Sequence, residues 1–560
     1  MSGNSLASHP VARAADQTPV RVGVFICECG DRIASILDLG WLVEAMAEMP
    51  GVTYAGRAPY WCSTDGRERL QETIRAEGLE RVVVAGCSPR TQQRLFQETI
   101  AGAGLNAHLL GLVNIREGCA WPHRQSPEAA TARARAQIAM EIARTAALMP
   151  SLPLEAEIVQ AALVIGGGIA GMTAALELAE AGIPVTLVER GAALGGAATG
   201  DNEKLVADLV EAIQPHPGIT LQLNSRITRL DGSVGAYHVT ITHHAPHLTP
   251  HSRLTFGAII VATGAPDQET GDLARLLRLP QDTQGLLPEW RVRLRPDRHV
   301  ERGIYVCGSA HYPCDAVEAQ FQAYSAASRA LRHLRRGVVR TYGVAAQVDP
   351  AKCNGCGDCF CICPFAAVTM VERVNGISLS QVDPLLCTGC GNCVSVCPVG
   401  AVTIPGWGDA QLEAQMRIAL NGAPAPAQPL VLVFACEWSG YAAAELAGAQ
   451  KLTYPSNVRM IRLDCSGRLQ AGLILKAFEL GAAGVLVLGC APRLCHYERG
   501  NERAAAAYRQ VETITRLLGL PPNRLQLAWT PPDDGPAFVE LVTRFVEGVG
   551  SGSRSVDSRR

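Results

Sequence analysis

Short apolar runs bounded by Gly, Pro, Asn or Asp recur along this 560-residue chain and alternate with stretches of helical period. That is the pattern of strands buried on both faces of parallel sheets and joined by crossover helices. Between residues 21 and 125, the strand VRVGVFIC ends at Cys27 and a helix is expected from about Asp38 to Met49. A second strand, near VTYAGRAPYWC, ends at Cys62, and amphipathic RERLQETIRAEG leads to the buried strand RVVVAGC, ending at Cys87. Residues 126–157, rich in alanine and arginine, predict a linker helix with its arginines in solvent. Residues 158–345 open with strand, turn, helix and strand in AALVIGGGIAGMTAALELAEAGIPVTLVER, and a later helix, capped by Asp315 with Glu318, is expected to run to about His333. Residues 346–406 are short-looped and rich in cysteine, and 407–428, with NGAPAPAQP, read as a linker. Residues 429–548 repeat the first unit: LVLVFAC ends at Cys436, VRMIRLDC at Cys465 and VLVLGC at Cys490. The ends, 1–20 and 549–560, are small, polar and aperiodic, and are expected to be disordered. The fold class is α/β multidomain, with two related small α/β domains at either end.

Charge and composition narrow the compartment. Fifty basic against 52 acidic side chains leave a net charge of −2, which gives nucleic acid or an anionic surface nothing to attract. No apolar run approaches the roughly 18 residues that cross a bilayer, and the first twenty residues lack the apolar core of a signal peptide. A cytoplasmic protein with no membrane insertion of its own is expected. There its 20 cysteines would be reduced thiolates holding metal rather than disulfides.

The cysteines sit where strands finish, and the carboxyl ends of parallel strands form the ligand edge of an open sheet. Cys27 or Cys29, Cys62 and Cys87 should therefore converge, and Cys119 could supply a fourth thiolate. In the last unit Cys436, Cys465, Cys490 and Cys495 are enough for one cluster. Cys62 to Cys87 and Cys465 to Cys490 are each 25 residues apart, and CSTDGRERL and AGCSPR recur as CSGRLQ and GCAPR. An internal duplication that keeps cysteines at strand ends points to two cluster sites on related sheets. The alternative is ordinary buried thiols.

Between these units, CNGCGDCFCICP and CTGCGNCVSVCP each carry Cys-x2-Cys-x2-Cys-x3-Cys-Pro, which matches the bacterial ferredoxin pattern for 4Fe–4S clusters. The fourth cysteine of each run ligates the other cluster in such proteins. This assigns Cys353, Cys356, Cys359 and Cys397 to one cluster and Cys387, Cys390, Cys393 and Cys363 to the other. Cys361 reads as a buried filler. Further upstream, Gly166, Gly168 and Gly171 form GxGxxG between strand and helix, and Glu189 ends the next strand, the dinucleotide fingerprint of a Rossmann-like domain. Gly195 and Gly196, the turn ATGA (Thr263, Gly264) and GIYVCGSA (Gly308) resemble two-dinucleotide-binding flavoproteins, implying FAD, with the helix begun by Asp315 aimed at the flavin. Cys307 and Cys314 could be a redox dithiol, although Cys-x6-Cys lacks the spacing of flavin disulfide reductases.

Together CECG, WCS, AGCSPR, NIREGC, the glycine fingerprint and the doubled ferredoxin run resemble the A subunit of heterodisulfide reductase. FACEW, YPSNVRMIRLDCSGR and LGCAPRLCHYERGN are similar to the delta (iron–sulfur) subunit of methyl-viologen-reducing hydrogenase. The resemblance implies FAD, a further 4Fe–4S cluster in the N-terminal domain and a 2Fe–2S cluster in the C-terminal one. It also implies electron transfer with other redox subunits of a heterodisulfide-reductase-like, hydrogenase-like or quinone-interacting complex. A relay with no substrate of its own is the alternative. The chain departs from the pattern in three places: Gly195-Gly196 runs straight into ATGDNEKLVADLVEAI without the cysteines of a ferredoxin-like insertion, Ser439 stands where the hydrogenase delta chain has a cysteine, and fewer than forty residues separate ATG from GIYVCG. Direct NAD(P)H binding is therefore not expected.

Overall fold

The computed structural model describes residues 20–151, 154–196, 200–243, 252–277, 279, 281–287, 303–341, 344–372, 376–421 and 429–551. The two tails expected to be disordered lie outside these residues, apart from Val20 and the end of the last helix, Gly535–Ser551. NGAPAPAQP falls mostly outside them too.

The N-terminal unit is a four-stranded parallel sheet. Val22–Cys27 lies between Val52–Ala58 and Arg81–Gly86, with Leu110–Asn114 outermost beside Arg81–Gly86. Every residue of the first strand is buried, as its unbroken apolar run requires. Polar caps start the crossover helices: Asp38 accepts from Trp41 N–H, Ser63 from Gly66 N–H and Ser88 from Arg90 N–H. The second strand stops at Ala58, so Cys62 stands in the turn beyond it, just before the helix Thr64–Ala76.

The C-terminal unit repeats this order. Val431–Cys436 lies between Val458–Leu463 and Gly484–Gly489, with Leu525–Trp529 outermost. Both sheets thus bring the ends of their first three strands to one edge. In the middle, Ala162–Ile165 is flanked by Val185–Val188 and Ala258–Val261 in a five-stranded parallel sheet completed by Ile219–Gln222 and Ile304–Val306. An antiparallel three-stranded sheet packs beside it. The cysteine-rich unit consists of two short antiparallel pairs and two helices, Asp358–Ile362 and Asn392–Val396.

Two linkers turn out to be structural. The helix Pro127–Ala146 is not solvated: Ala130, Ala134, Ile138 and Ile142 join the core of the N-terminal sheet and Met140 that of the C-terminal sheet. Two of its arginines are buried because distant backbone takes up their donors. Arg133 donates to Gly118 O at 2.9 Å, to Tyr454 Oη at 3.2 Å and to Val458 O. Arg144 pairs with Glu141 and donates to Gly406 O at 2.9 Å. Within 407–428, Asp409–Asn421 is a helix with Leu412 and Met416 fully buried in the C-terminal core. The two outer units also touch directly, through Asn114 Nδ2 to Glu445 Oε1 at 2.9 Å and at Gly448, where a Cβ would run into Glu117 O.

Replacing Arg133 with Ala removes its hydrogen bonds to Gly118 O, Tyr454 Oη and Val458 O and leaves the two carbonyls only longer bonds, from Tyr454 Oη at 3.3 Å and Arg459 Nη1 at 3.4 Å, so Arg133→Ala should lower stability by about 3 kcal/mol. Arg135→Ala, on the less buried side of the same helix, should stay within about 0.5 kcal/mol. Thermal or denaturant unfolding of the two variants measures the difference.

Candidate functional site

The N-terminal edge gathers four thiols. Cys29 and Cys62 are electrostatic neighbours of Cys27, and Cys29 and Cys27 are neighbours of Cys87. Cys29 has φ +51°, a left-handed conformation that a non-glycine residue adopts only where its surroundings hold it. Arg116 donates to Cys29 Sγ at 3.2 Å, pairs with Glu117 at 2.6 Å, and sets a positive charge beside Cys87. Burial nonetheless pushes the Cys87 thiol up to about 12. Cys119 does not join this group. It lies fully buried on a π-turn, Arg116–Ala120, with Arg133 and Arg459 as its charged neighbours. The NIREGC motif therefore contributes an arginine to this edge and turns its cysteine toward the domain interface.

In the cysteine-rich unit, Gly357 and Gly391 start the two short helices in the left-handed conformation, at φ +80° and +78°. The packing groups the thiols across the two runs. Cys387, Cys390 and Cys393 each have Cys363, from the other run, as a neighbour, whereas Cys353 and Cys356 are the neighbours of Cys359 within the first run. Backbone N–H groups of Ala346, Ala367 and Ala401 donate to the sulfurs of Cys387, Cys363 and Cys397 at 3.2–3.4 Å. Ser380 Oγ lies 3.0 Å from Cys359 Sγ. Such bonds to sulfur tune a cluster's potential. Cys356 is exposed and Cys390 and Cys393 are buried, so the two sites differ in access to solvent. Cys361 is exposed, not a buried filler: the helix Asp358–Ile362 turns Cys359 inward and Cys361 out.

At the C-terminal edge Cys436, Cys465 and Cys490 are buried and Cys495 closes the group. Cys436 Sγ and Cys490 Sγ are 3.9 Å apart. Two sulfurs bound to one tetrahedral metal at about 2.3 Å stand about 3.8 Å apart. Cys465 and Cys495 form a second such contact, and Cys465 also has Cys390 of the neighbouring unit among its neighbours. Cys436 is pushed well up by its contact with Cys490 and by burial, whereas hydrogen bonds from Cys436 and Cys495 pull Cys490 down. Ser439, which stands where the hydrogenase delta chain has a cysteine, is buried beside the Cys490 thiol. Trp438 and His496 stack over this edge with centroids 3.4 Å apart. Among the described residues no three His, Cys, Asp or Glu side chains close on the position of one ion; sulfurs around a multi-iron cluster are spread more widely than those around a single metal.

The glycine-rich edge of the central sheet is built to approach a ligand's backbone-bound phosphates. At Gly166 (φ +107°) a Cβ would strike Ala262 O, and at Gly171 it would strike Gly166 O, so strand turn and helix pack directly. At Gly168 a Cβ would meet nothing, so that side of the turn is open at the start of the helix Ile169–Glu180. Gly195 bridges to Gly168, a Cβ on Gly196 would lie 3.1 Å from Gly168 Cα, and one on Gly308 would lie 2.9 Å from Ala170 Cβ. Glu189 accepts from Gly167 N–H at 2.6 Å and Gly191 N–H at 2.7 Å, leaving further acceptor capacity for a ribose. Thr263 Oγ1 is buried without a partner, beside Gly264 at φ +79°. These features fit a dinucleotide. Asp315 caps the helix Ala316–Arg335 by accepting from Glu318 N–H at 2.8 Å, while the Glu318 carboxylate takes the Tyr312 hydroxyl instead of completing a capping box. Cys307 is fully buried; Cys314 has Ser309, Glu318 and Asp315 as neighbours, and the two do not form a disulfide.

A glycine cradle for a dinucleotide, joined to paired cysteine loops in one chain, defines an FAD- and iron–sulfur-dependent electron-transfer oxidoreductase. Comparison with known families agrees: residues 161–351 match the family "FAD dependent oxidoreductase", 352–401 match "4Fe-4S dicluster domain", and 431–551 match "Methyl-viologen-reducing hydrogenase, delta subunit". The chain is 27% identical to the A subunit of the Ferredoxin:CoB-CoM heterodisulfide reductase of Methanosarcina mazei, covering 94% of this chain and 97% of that one. That alignment spans 774 residues, so the relative carries segments without a counterpart here. Identity rises to 37% over 235 residues with an iron–sulfur A subunit of the CoB--CoM heterodisulfide reductase of Methanopyrus kandleri, covering 40% of this chain and 35% of that one. The chain is thus an iron–sulfur flavoprotein like the A subunit of heterodisulfide reductase, with a C-terminal domain like the delta subunit of methyl-viologen-reducing hydrogenase. No helix among the described residues is long and apolar enough to cross a membrane.

If the N-terminal edge holds a four-iron cluster on Cys27, Cys29, Cys62 and Cys87, Cys87→Ala should lose about four iron atoms per chain. Cys119→Ala should lose none. Iron and sulfide assays on the two purified variants, with flavin absorbance as the folding control, check this.

Proposed function

We propose that the chain carries electrons between partner redox subunits through one FAD and four iron–sulfur centres. The observation that carries this reading is the proximity of Cys465, on the C-terminal edge, to Cys390 in the paired cysteine loops. Two 4Fe–4S clusters are assigned to the ferredoxin unit, on Cys353, Cys356, Cys359 and Cys397 and on Cys387, Cys390, Cys393 and Cys363. A third 4Fe–4S cluster is assigned to Cys27, Cys29, Cys62 and Cys87, and a 2Fe–2S cluster to Cys436, Cys465, Cys490 and Cys495. The 3.9 Å Cys436–Cys490 contact and the matching Cys465–Cys495 contact support two thiolates on each of two irons. Gly166, Gly168, Gly171, Gly195, Gly196, Thr263, Gly264 and Gly308 line the FAD site, with Glu189 at the ribose and the helix begun by Asp315 facing the ring.

Flavin exchanges two electrons and a cluster one, so FAD among clusters converts between the two. Packing between the units supports an order for the stations. Leu385 and Leu386, just before Cys387, pack on the core of the flavin unit, and Phe365, Ala367 and Cys390 pack with Cys465 and Tyr497. The second ferredoxin site therefore lies between the flavin unit and the C-terminal edge, while Cys356 leaves the first site open to a partner at the surface. The relatives' names point to partners of the heterodisulfide-reductase and hydrogenase type. A role in a quinone-interacting complex or as a bare relay is not favoured by those relatives. Direct NAD(P)H oxidation does not enter the proposal, given the short interval between Gly264 and Gly303. A cytoplasmic location goes with reduced thiols.

Anaerobically purified protein should contain about 14 iron atoms and one FAD per chain, summing the proposed clusters. About eight iron atoms would confine metal to the ferredoxin loops and refute both outer sites. Iron, acid-labile sulfide and flavin assays decide between these outcomes.

A further inference from the structure

The loop carrying Cys390 and Cys393 and the loop carrying Cys465 interlock so closely that side chains are excluded. A Cβ on Gly391 would lie 2.8 Å from Cδ of Arg468, and one on Gly467 would run into Asn392 Oδ1. Two polar side chains are sealed into this contact. Arg468 is 2% exposed; its Nε donates to Trp407 O at 2.6 Å and its Nη2 pairs with Asp409, whereas Nη1 is buried with no partner. Asn392 is fully buried, and neither its amide nitrogen nor its oxygen has a partner. Unpaired buried donors are costly, so a native structure that keeps them has an acceptor for them that the protein itself does not supply. Cys393 is the one cysteine among the electrostatic neighbours of Arg468.

We infer that Arg468 and Asn392 are positioning residues that face the cluster on Cys363, Cys387, Cys390 and Cys393 and stabilise its reduced form. This rests on the cluster assignment proposed above and adds a direction to it. A cluster that gains one electron becomes one unit more negative. A guanidinium stays protonated even when buried, so Arg468 holds a fixed positive charge against that site with little water to screen it. Asn392, next to Gly391 in the same cysteine loop, adds a buried, unpartnered N–H donor beside that site, and hydrogen bonds to cluster sulfur raise the potential. At the other ferredoxin site Cys356 is exposed and the group beside Cys359 Sγ is the neutral Ser380 hydroxyl at 3.0 Å, which carries no fixed charge. The second site becomes the station where an electron settles beside the C-terminal edge, whichever end of the chain delivers it. Asp409, 44% exposed, is the counter-charge that partly offsets the effect.

The test is a potentiometric titration of the intact holoprotein with dithionite and redox mediators, followed by EPR. Arg468→Met and Asn392→Leu should each move the midpoint of one 4Fe–4S signal to more negative potential. Asp409→Asn should move the same signal to more positive potential, and Arg468→Lys should stay near the wild type because it keeps the charge. Opposite signs for Arg468→Met and Asp409→Asn are not expected from loosened packing. If Arg468→Met fails to assemble its clusters, the surface variant Asp409→Asn still decides by the sign of its shift. Unmoved midpoints in variants with full iron content, or an equal displacement in Arg468→Lys and Arg468→Met, would overturn the inference alone. A wild type without two ferredoxin-type signals would overturn the cluster assignment with it.

Discussion

Thiols buried side by side without a disulfide are the constraint around which this molecule is built. A parallel sheet brings all its strands to a finish at one edge, so a cysteine placed at each of three strand ends meets its counterparts there by topology alone. Two sheets of the chain do this with the same strand order, and in each a fourth thiol closes the group from a loop: Cys29 in the N-terminal unit and Cys495 in the C-terminal one. None of the twenty cysteines forms a disulfide, and burial raises several of them, Cys87 to about 12 and Cys387 to about 11. A metal bound by such thiols would displace their protons, and metal binding and folding would then support each other.

The remaining structure keeps these groups in register. The helix Pro127–Ala146 lies between the two outer sheets, with Ile138 and Ile142 in one core and Met140 in the other, and Arg133 ties it to backbone on both sides. The ferredoxin unit is fixed twice, to the flavin unit through Leu385 and Leu386 and to the C-terminal edge through Phe365 and Cys390. Side chains are excluded at Gly391, Gly467 and Gly500, so the cysteine loops approach one another as closely as backbone allows. Electron transfer needs short gaps and fixed potentials rather than moving parts, and this packing supplies both.

Much of this was legible in the sequence because it depends on local pattern. Apolar runs ending in cysteine marked the sheet edges, the doubled cysteine spacing grouped Cys363 with Cys387, Cys390 and Cys393, which are its neighbours in the fold, and GxGxxG with Glu189 located the dinucleotide cradle. What was not legible depends on contacts between distant segments. The arginines of the 126–157 stretch looked solvated because only Glu141, for Arg144, is a partner visible in the local pattern, whereas the backbone acceptors for Arg133 and Arg144 lie at Gly118, Gly406 and Val458. Cys119 looked like a ligand by composition, but the π-turn at Arg116–Ala120 rotates it away and presents Arg116 instead. Cys62 sits beyond its strand because the pattern does not show that pairing with the first strand stops at Ala58. Arg468 and Asn392 gave no sequence signal, since their significance lies in what two loops about 75 residues apart leave unpaired, a matter of burial rather than motif.

Anomalous diffraction at the iron edge from crystals of the holoprotein tests the central claim most directly. The account predicts iron density at four places: two within the ferredoxin loops, one enclosed by Cys27, Cys29, Cys62 and Cys87, and one enclosed by Cys436, Cys465, Cys490 and Cys495. Iron density confined to the ferredoxin loops, with the thiols at both sheet edges free of metal, would contradict it.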